Sequence, residues 1–259
     1  MSDSEYVLTN LNERVFTIRL NRPKVNAFNL EMISALQSAF KQAEREAQVR
    51  CVVLTGSGHV FSAGQDIRDF DQEKEVAFRY HLLHTYNPLV LQIRRLEKPV
   101  LAAINGAVSG AALGLALACD LRIASVNARF IVGFLGIGLA PDAAVSLFLP
   151  ATIGLGRAAE FAFSNHPISA EKALEWGLVN RLVPDDQLEQ QAGEWAYQLA
   201  QGPVHAMGLA KRNFNKAIYP HLEEVLDYEA HTQQIAGTRP EHREGVQAFT
   251  EKRQPRYQN

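Results

Sequence analysis

The amino-acid sequence predicts an α/β fold followed by a helical C-terminal region. Two observations support this prediction. In the first two hundred residues, short strand-like apolar runs alternate with stretches whose apolar residues recur at helical spacing. From residue 201 onward the chain is rich in helix formers and charge and contains no convincing strand. We therefore expect residues 1–200 to form the α/β core and residues 201–259 to form a helical appendage.

The elements of the first hundred residues follow in order. Residues 15–20 (VFTIRL) alternate apolar with polar side chains, as a half-buried strand does. Apolar residues at helical spacing over 30–40 predict a helix, which ends in the charged stretch QAEREAQ. The apolar run 51–54 predicts a fully buried strand. Residues 76–96 have a helical pattern that Pro88 should kink or restart.

The uncharged segment 99–119 is long enough to be a candidate membrane span. Pro99 and the turn signal Asn105-Gly106 interrupt it, however, and divide it into two short runs. We therefore predict a buried strand at 100–104, the turn NGAVSG and a buried helix in AALGLALAC. The next strand is predicted in LRIAS.

Composition excludes several classes of function. With 259 residues and a formal net charge of −2, the chain has no basic surface for nucleic acid or an anionic membrane. Cys51 and Cys119 lie in apolar runs without CxxC spacing, which favours buried thiols in a reducing compartment, and the N-terminus lacks the pattern of an export signal. We expect a cytoplasmic protein.

The histidines predict no metal site. His81 and His84 are three residues apart on the predicted helix, but no acidic residue completes a ligand set, so surface histidines are favoured. The glycine-rich loops contain neither a P-loop nor a dinucleotide fingerprint. The sequence therefore gives no support to metal or hydride chemistry.

Three loops rich in small residues are candidates for a site: 61–67 (FSAGQDI), 105–113 (NGAVSGAAL) and 136–145 (GIGLAPDAAV). Turns of this kind that open helices leave backbone N–H groups unpaired, in the positive field of the helix N-terminus. Such groups suit a phosphate or a developing oxyanion. Close packing of the elements explains the small residues equally well.

Asp142 is the only ionisable residue between Arg129 and Arg157. One interpretation makes it the N-cap of a helix over residues 143–149. The other makes it a carboxylate in an apolar pocket, whose pKa is raised by desolvation so that it can transfer protons. For Asp66 and Asp120, we expect the ordering of loops.

The three loops, in this order, resemble the crotonase (enoyl-CoA hydratase/isomerase) superfamily. The match covers nearly the whole chain and is carried by LNRPKVNAF, VVLTGSGHVFSAGQDI, KPVLAAINGAVSGAALGLALACDLRIAS, GLAPDAA, ISAEKALEWGLVNRLVP and EGVQAFTEKR. The resemblance implies a spiral of ββα turns with a helical trimerisation region, assembled as a trimer or a dimer of trimers. It also implies an acyl-CoA thioester as substrate, without any cofactor beyond its CoA moiety. The N–H groups of Gln65 and Ala111 are then expected to form an oxyanion hole.

The departures from the family pattern narrow the expected reaction. Where hydratases of the family carry two catalytic glutamates, this chain has Gly114 and Phe134. The aspartate at 142 is similar in placement to that of the isomerases, above all the ring-epoxide isomerases of phenylacetyl-CoA breakdown. The resemblance thus implies that Asp142 is catalytic and moves a proton from the α to the γ carbon of a 3-enoyl-CoA or a ring-epoxide thioester.

Other members of the superfamily provide the alternatives. Aryl-CoA dehalogenases place a nucleophilic aspartate at the same position, but this chain has Asn87 in place of their histidine and Phe134 in place of their tryptophan. A hydratase without the usual glutamates is a second alternative. A non-catalytic CoA-binding protein is a third.

The resemblance also assigns binding residues. Those expected near CoA are Arg22, Lys24, Ala27, Ala63, Asp66, Ile67, Phe249 and Lys252, although solvated surface positions explain the cations equally well. Those expected to line the acyl pocket are Tyr86, Phe134 and Leu139, for which apolar packing alone is the other explanation.

Overall fold

The computed structural model describes residues 6–69 and 77–257. The strands in this part of the chain are β1 Val7–Asn12, β2 Val15–Leu20, β3 Cys51–Gly56, β4 Val60–Ser62, β5 Val100–Ile104, β6 Ala107–Ser109, β7 Leu121–Ser125, β8 Arg129–Ile131, β9 Ile168–Ser169 and β10 Arg181–Val183. The α-helices are α1 Leu30–Arg45, α2 Phe78–His84, α3 Tyr86–Arg95, α4 Ala111–Ala118, α5 Val145–Ile153, α6 Leu155–Ser164, α7 Ala170–Glu175, α8 Leu188–Gln201, α9 Val204–Ile218, α10 Leu222–Gly237 and α11 Pro240–Thr250.

The strands form two sheets. The larger has the order β1-β2-β3-β5-β7-β10, in which β1 and β2 are antiparallel and the other pairs are parallel. The smaller has the order β4-β6-β8-β9. The strands follow one another in consecutive pairs, of which the first strand joins the larger sheet and the second joins the smaller one before the chain enters a helix. These pairs are β3 and β4, β5 and β6, and β7 and β8. This repeat is the ββα spiral that the sequence resemblance implied.

The centre of the molecule is α4, whose eight residues are all buried. A helix that is apolar on every side is stable only when it is surrounded by protein or lipid, and here sheets and helices surround it. The uncharged segment 99–119 is therefore β5, β6 and α4, as predicted, except that the turn NGAVSG contains the short strand β6. Within residues 6–69 and 77–257, no helix has the length and apolar character needed to cross a membrane.

A second apolar layer lies between α8 and the outer face of the larger sheet. Ala192, Ala196 and Ala200, spaced four residues apart, bring α8 close to residues such as Cys51 and Leu101 of the sheet. Cys51 and Cys119 are buried free thiols, as predicted, and burial raises the pKa of each to about 12.

Two helices replace the single helix predicted over 76–96. The chain breaks at Thr85 between α2 and α3, and Pro88 lies in the first turn of α3, where its missing N–H costs no helical hydrogen bond. Residue 76 lies outside the described residues. The prediction that the helix restarts near Pro88 is therefore confirmed, although the break at Thr85 precedes Pro88 by three residues.

The helical C-terminal region is fixed to the core by buried charges. Lys211 of α9 donates from Nζ to Asp120 Oδ2 at 2.9 Å and to the carbonyl oxygen of Ile93 at 2.8 Å. Arg94 donates to the other oxygen of Asp120 at 3.1 Å, and the backbone N–H of Val100 donates to Oδ2 at 2.9 Å. Asp120 thus orders its loop, as expected. Further along the C-terminal region, α10 packs against α2, α3 and α5.

Candidate active site

The three loops selected from the sequence meet at one cavity of about 1730 Å³. Gln65 comes from the first loop, Ala111 from the second, and Leu139 and Asp142 from the third. Each loop lies at the end of a strand or the start of a helix, so that backbone groups and short side chains reach the cavity. The structure thus brings together the residues that the resemblance assigned to the reaction.

Asp142 is a buried carboxylate in the lining of this cavity, with a fractional exposure of 6%. Its Oδ2 accepts a hydrogen bond from Gln233 Nε2 at 2.7 Å, whereas Oδ1 has no partner among the described residues. Burial, and secondarily the nearby charge of Glu229, raise the pKa of Asp142 to about 8, against the opposing effect of the Gln233 hydrogen bond. A carboxyl group with this pKa exchanges a proton readily near neutral pH.

The side chain of Asp142 does not cap the following helix. Helix α5 begins at Val145, and its N-cap residue is Ala144, in the left-handed region. The methyl side chain of Ala144 cannot accept a capping hydrogen bond. Glu229 of α10 does so instead, because its Oε2 accepts from Ala144 N at 2.8 Å and its Oε1 accepts from Ser146 N at 3.1 Å. The N-cap interpretation of Asp142 was therefore wrong, and the residue lies in the lining of the cavity instead.

The backbone around Asp142 is strained. Ala143 has φ = 52° and Ala144 has φ = 62°, both in the left-handed region that non-glycine residues rarely adopt. Each such residue costs about 1 to 2 kcal/mol. Contacts with other elements must offset this cost, and the hydrogen bonds that Glu229 accepts from Ala144 and Ser146 are among them.

The candidate oxyanion donors are two backbone N–H groups. Ala111 is the first residue of α4, so its N–H points out of a helix N-terminus. Gln65 forms an isolated parallel β-bridge with Phe28, whose hydrogen bonds are made by the residues on either side of Gln65. Phe28 N donates to Gly64 O at 2.7 Å, and Asp66 N donates to Phe28 O at 2.9 Å. Within the described residues, neither the Gln65 N–H nor the Ala111 N–H donates to an acceptor.

Gly64 holds these two donors together. Its φ is +83°, and a Cβ at this position would stand 2.7 Å from the carbonyl oxygen of Ser109 and 3.4 Å from Ala111 N. The glycine therefore allows the first loop to lie directly on the turn before α4.

The side chain of Gln65 is held by aromatic neighbours in the cavity. Its Oε1 accepts from the Tyr86 hydroxyl at 2.7 Å and lies 3.2 Å from His81 Nε2, while its Nε2 donates to Phe28 O at 3.1 Å. Burial lowers the pKa of His81 to about 4, so its imidazole is neutral. The expectation that His81 is a surface residue was wrong, because Gln65 gives it a partner inside the cavity; His84 is exposed, as expected.

The residues expected to line an acyl pocket, Tyr86, Phe134 and Leu139, all line the cavity. Tyr86 is fully buried against Phe28, with ring centroids 6.0 Å apart. Asn87 does not line it: its Nδ2 donates to the carbonyl oxygen of Leu226 at 3.0 Å, and the residue packs between α3 and α10.

Most of the expected CoA-binding residues lie around the same cavity: Lys24, Ala27, Ala63, Asp66, Ile67, Phe249 and Lys252 line it. Arg22 does not, because its Nη1 donates to Asp66 Oδ2 at 2.9 Å and to Ala27 O at 3.0 Å. Arg68, and secondarily Arg22, hold the pKa of Asp66 well below its usual range against the effect of burial. Asp66 thus orders its loop, as expected. Arg22 lies outside the cavity lining and binds two residues of that lining, Ala27 and Asp66.

Two residues that contact the Asp142 loop were not found from the sequence. Gln233 and Glu229 belong to α10, about ninety residues after Asp142, and are 1% and 3% exposed. A polar residue in an amphipathic helix carries no sequence signal that it is buried. Only the packing of α10 against α5 reveals their position.

Comparison with known proteins assigns the family. A sequence model described as enoyl-CoA hydratase/isomerase matches residues 10–259. The chain is 38% identical to the 1,2-epoxyphenylacetyl-CoA isomerase of Escherichia coli (strain K12), over 98% of each chain. It is also 38% identical to 4-chlorobenzoyl coenzyme A dehalogenase-2 of Arthrobacter sp, over 83% of this chain and 79% of the other.

The fold is shared with a solved structure of the same family. The crystal structure of an enoyl-CoA hydratase from Mycobacterium avium subsp. paratuberculosis K-10 superposes with a TM-score of 0.89 at 30% identity, over 98% of this chain and 99% of that one. This chain therefore has the crotonase fold, and its relatives by sequence or structure are named for three different activities. The chain belongs to the enoyl-CoA hydratase/isomerase family.

Proposed function

We propose that this protein is an acyl-CoA isomerase that moves a proton from the α carbon to the γ carbon of a thioester through Asp142. The observation that carries the proposal is the placement of the buried Asp142, which no cation pairs with among the described residues, in the same cavity lining as Gln65 and Ala111. Its Oδ1 has no partner among the described residues. A proton-transfer base and an oxyanion hole are the two groups that α-carbon chemistry of a thioester requires.

In this mechanism the thioester carbonyl oxygen accepts hydrogen bonds from Gln65 N–H and Ala111 N–H. Ionised Asp142 takes the α proton, and the electron pair of the C–H bond moves into an enolate conjugated with the β,γ double bond. Asp142 then returns the same proton to the γ carbon, and the double bond moves to the α,β position. The donors must supply much of the stabilisation, since losing one typically costs ~3 kcal/mol.

The positions that would serve hydration support proton transfer instead. A Cβ at Gly114 would stand 2.5 Å from the carbonyl oxygen of Ala143, so the turn that carries Asp142 occupies the space a glutamate at 114 needs. Phe134, at the second position, is apolar. We therefore assign water activation no role in the reaction.

The substrate class is a thioester with an acidic α proton and unsaturation, or a strained ring, beyond it. The 38% identity to the 1,2-epoxyphenylacetyl-CoA isomerase of E. coli supports a ring-epoxide thioester, and the same groups serve a 3-enoyl-CoA. We give dehalogenation less weight, because Asn87 donates its side-chain amide to Leu226 and lies outside the cavity lining. Assembly as a trimer or a dimer of trimers stays a prediction.

The test is ultraviolet absorbance with a 3-enoyl-CoA and, separately, a ring-epoxide thioester, using wild type and Asp142→Asn. We expect formation of the conjugated product in wild type and its loss in Asp142→Asn, with both proteins retained on immobilised CoA. Retention without turnover of either substrate would overturn the isomerase proposal and favour a CoA-binding protein. Loss of conjugated absorbance with a 2-enoyl-CoA would favour hydration.

A further inference from the structure

One face of α10 presents two buried polar side chains to the loop that carries Asp142. Glu229 and Gln233 are four residues apart, so they lie one above the other on the same side of the helix. Burying such groups is unfavourable unless they are hydrogen-bonded. Their partners all belong to the segment from Ala140 to Ser146.

Gln233 holds the segment before Asp142 and the carboxylate itself. Its Oε1 accepts from the backbone N–H of Ala140 at 3.0 Å, and its Nε2 donates to Asp142 Oδ2 at 2.7 Å. The amide is thereby fixed at both ends. Because Oδ2 is engaged, the oxygen left to exchange a proton is Oδ1, which has no partner among the described residues.

Glu229 holds the segment after Asp142. Its carboxylate accepts from Ala144 N, from Ser146 N and from the Ser146 hydroxyl. These groups lie at the N-terminus of α5, where the helix dipole favours a negative charge. The strained residues Ala143 and Ala144 lie between the two anchors, so relaxation of this turn would move Asp142.

We propose that Gln233 and Glu229 are positioning residues for the proton transfer assigned to Asp142: Gln233 selects Oδ1 as the proton-exchanging oxygen, and Glu229 fixes the turn and places a like charge beside it. The proposal rests on the proposed function, because a carboxylate that transfers no proton has no need of a fixed oxygen.

The two residues have opposite effects on the charge of Asp142. The Gln233 donor stabilises the carboxylate, whereas the Glu229 carboxylate disfavours it. Among the described residues, Glu229 is the charged group that raises the pKa of Asp142, and burial raises the pKa of Glu229 itself to about 7. His81 of α2 and His242 of α11 have pKa values lowered by burial, and Arg79 of α2 is exposed and paired with Asp227 at 2.6 Å.

The test titrates Asp142 directly. In protein labelled with ¹³C at aspartate Cγ, the resonance of Asp142 is assigned by its absence from Asp142→Asn. We expect the pKa of Asp142 to rise by about one unit in Gln233→Met, which removes the donor at similar length. In Glu229→Gln, which removes the charge, we expect it to fall. Glu223→Gln, an exposed charge on the same helix, is the control and should cause no shift.

Kinetics provide the second readout. With a substrate that wild type turns over, we expect kcat to fall on the order of tenfold to a hundredfold in both variants, because the base is misplaced, while KM changes little. The acid limb of the pH profile should move in opposite directions, as in the titration. Shifts in the same direction in both variants, or in neither, would overturn the positioning roles.

The titration needs no turnover, so the two proposals can fail separately. Opposite shifts without isomerisation of any thioester would overturn the proposed reaction alone. Isomerisation without the shifts would overturn the positioning roles alone. If Glu229→Gln does not fold, Gln233→Met decides, because the absence of an upward shift in that variant contradicts the assignment of Gln233.

Discussion

Gly114 of α4 lies directly against Ala143, and a Cβ atom at 114 would stand 2.5 Å from the carbonyl oxygen and 2.9 Å from the Cβ of Ala143. Ala143 is the next residue after Asp142. The turn that carries the Asp142 carboxylate can therefore pack against α4 only because residue 114 has no side chain. A glutamate at 114 and the turn at 142–144 cannot occupy the same space.

The first prediction follows from this contact. Gly114→Ala should lower the free energy of unfolding by about 1 to 3 kcal/mol and reduce activity, because the added methyl group displaces the turn that carries Asp142. Thermal unfolding and turnover measure the two effects. Gly193→Ala, on the exposed face of α8, is the matched control: its added Cβ meets none of the described residues within 4 Å beyond its own helix, and it should stabilise by up to about 1 kcal/mol. Unchanged stability and turnover in Gly114→Ala would contradict the contact.

The second prediction concerns the proposed oxyanion donors, the N–H groups of Gln65 and Ala111. Gly64→Ala should lower kcat by about 100-fold or more, since the new methyl group would meet Ser109 O at 2.7 Å and separate the Gln65 and Ala111 donors. Gly58→Ala is the matched control, because Gly58 also has a positive φ, of +72°, but an added Cβ there meets none of the described residues within 4 Å beyond its chain neighbours. Both variants carry the backbone strain and only one disturbs the hole. Equal losses of kcat would argue against the proposed donors.

The third prediction links Asp142 to stability. Burial raises its pKa in the folded state from the ordinary value of 3.8 to about 8, so the folded state holds a proton that the unfolded chain releases between these pH values. Stability should therefore fall as pH rises from about 4 to about 8. Asp142→Asn removes this effect and should stabilise by up to roughly 5 kcal/mol at pH 8.

Chemical denaturation of wild type and Asp142→Asn at several pH values measures this difference. Asp227→Asn, at an exposed ion pair with Arg79, is the control and should change the free energy of unfolding by less than about 1 kcal/mol. A stability difference that is independent of pH would mean that Asp142 is already ionised in the folded protein at low pH.

The fourth prediction is the pH dependence of turnover. In the proposed mechanism the ionised form of Asp142 takes the proton, so kcat/KM should rise between pH 6 and 9 and reach half of its maximum near the pKa of about 8 in the free enzyme. Initial rates with a 3-enoyl-CoA measure this profile. A midpoint near pH 4, as for a solvated aspartate, would show that the burial of Asp142 does not control its charge.

The sequence predicted the elements whose pattern is local. The strands at 15–20, 100–104 and 121–125 have the predicted bounds, because apolar runs bounded by turns determine them. The three loops and Asp142 were also found, since a lone carboxylate in an apolar segment is visible in the sequence. Strand β1 was not predicted.

What depends on packing between distant segments was not predicted. Helix α5 is capped by Glu229 of α10, so the local N-cap interpretation of Asp142 failed. His81 was assigned to the surface, because its partner Gln65 comes from another element. In each case the deciding contact joins residues that no sequence pattern connects.

The most direct test of the central claim follows the proton itself. A 3-enoyl-CoA carrying two deuterium atoms at the α carbon is converted in ordinary water, and the position of deuterium in the product is read by mass spectrometry and NMR. If the buried Asp142 carries one proton from the α to the γ carbon, a measurable share of the product should contain deuterium at the γ carbon, and Asp142→Asn should form no product. Product whose γ carbon contains only hydrogen from water would contradict transfer by a single carboxylate.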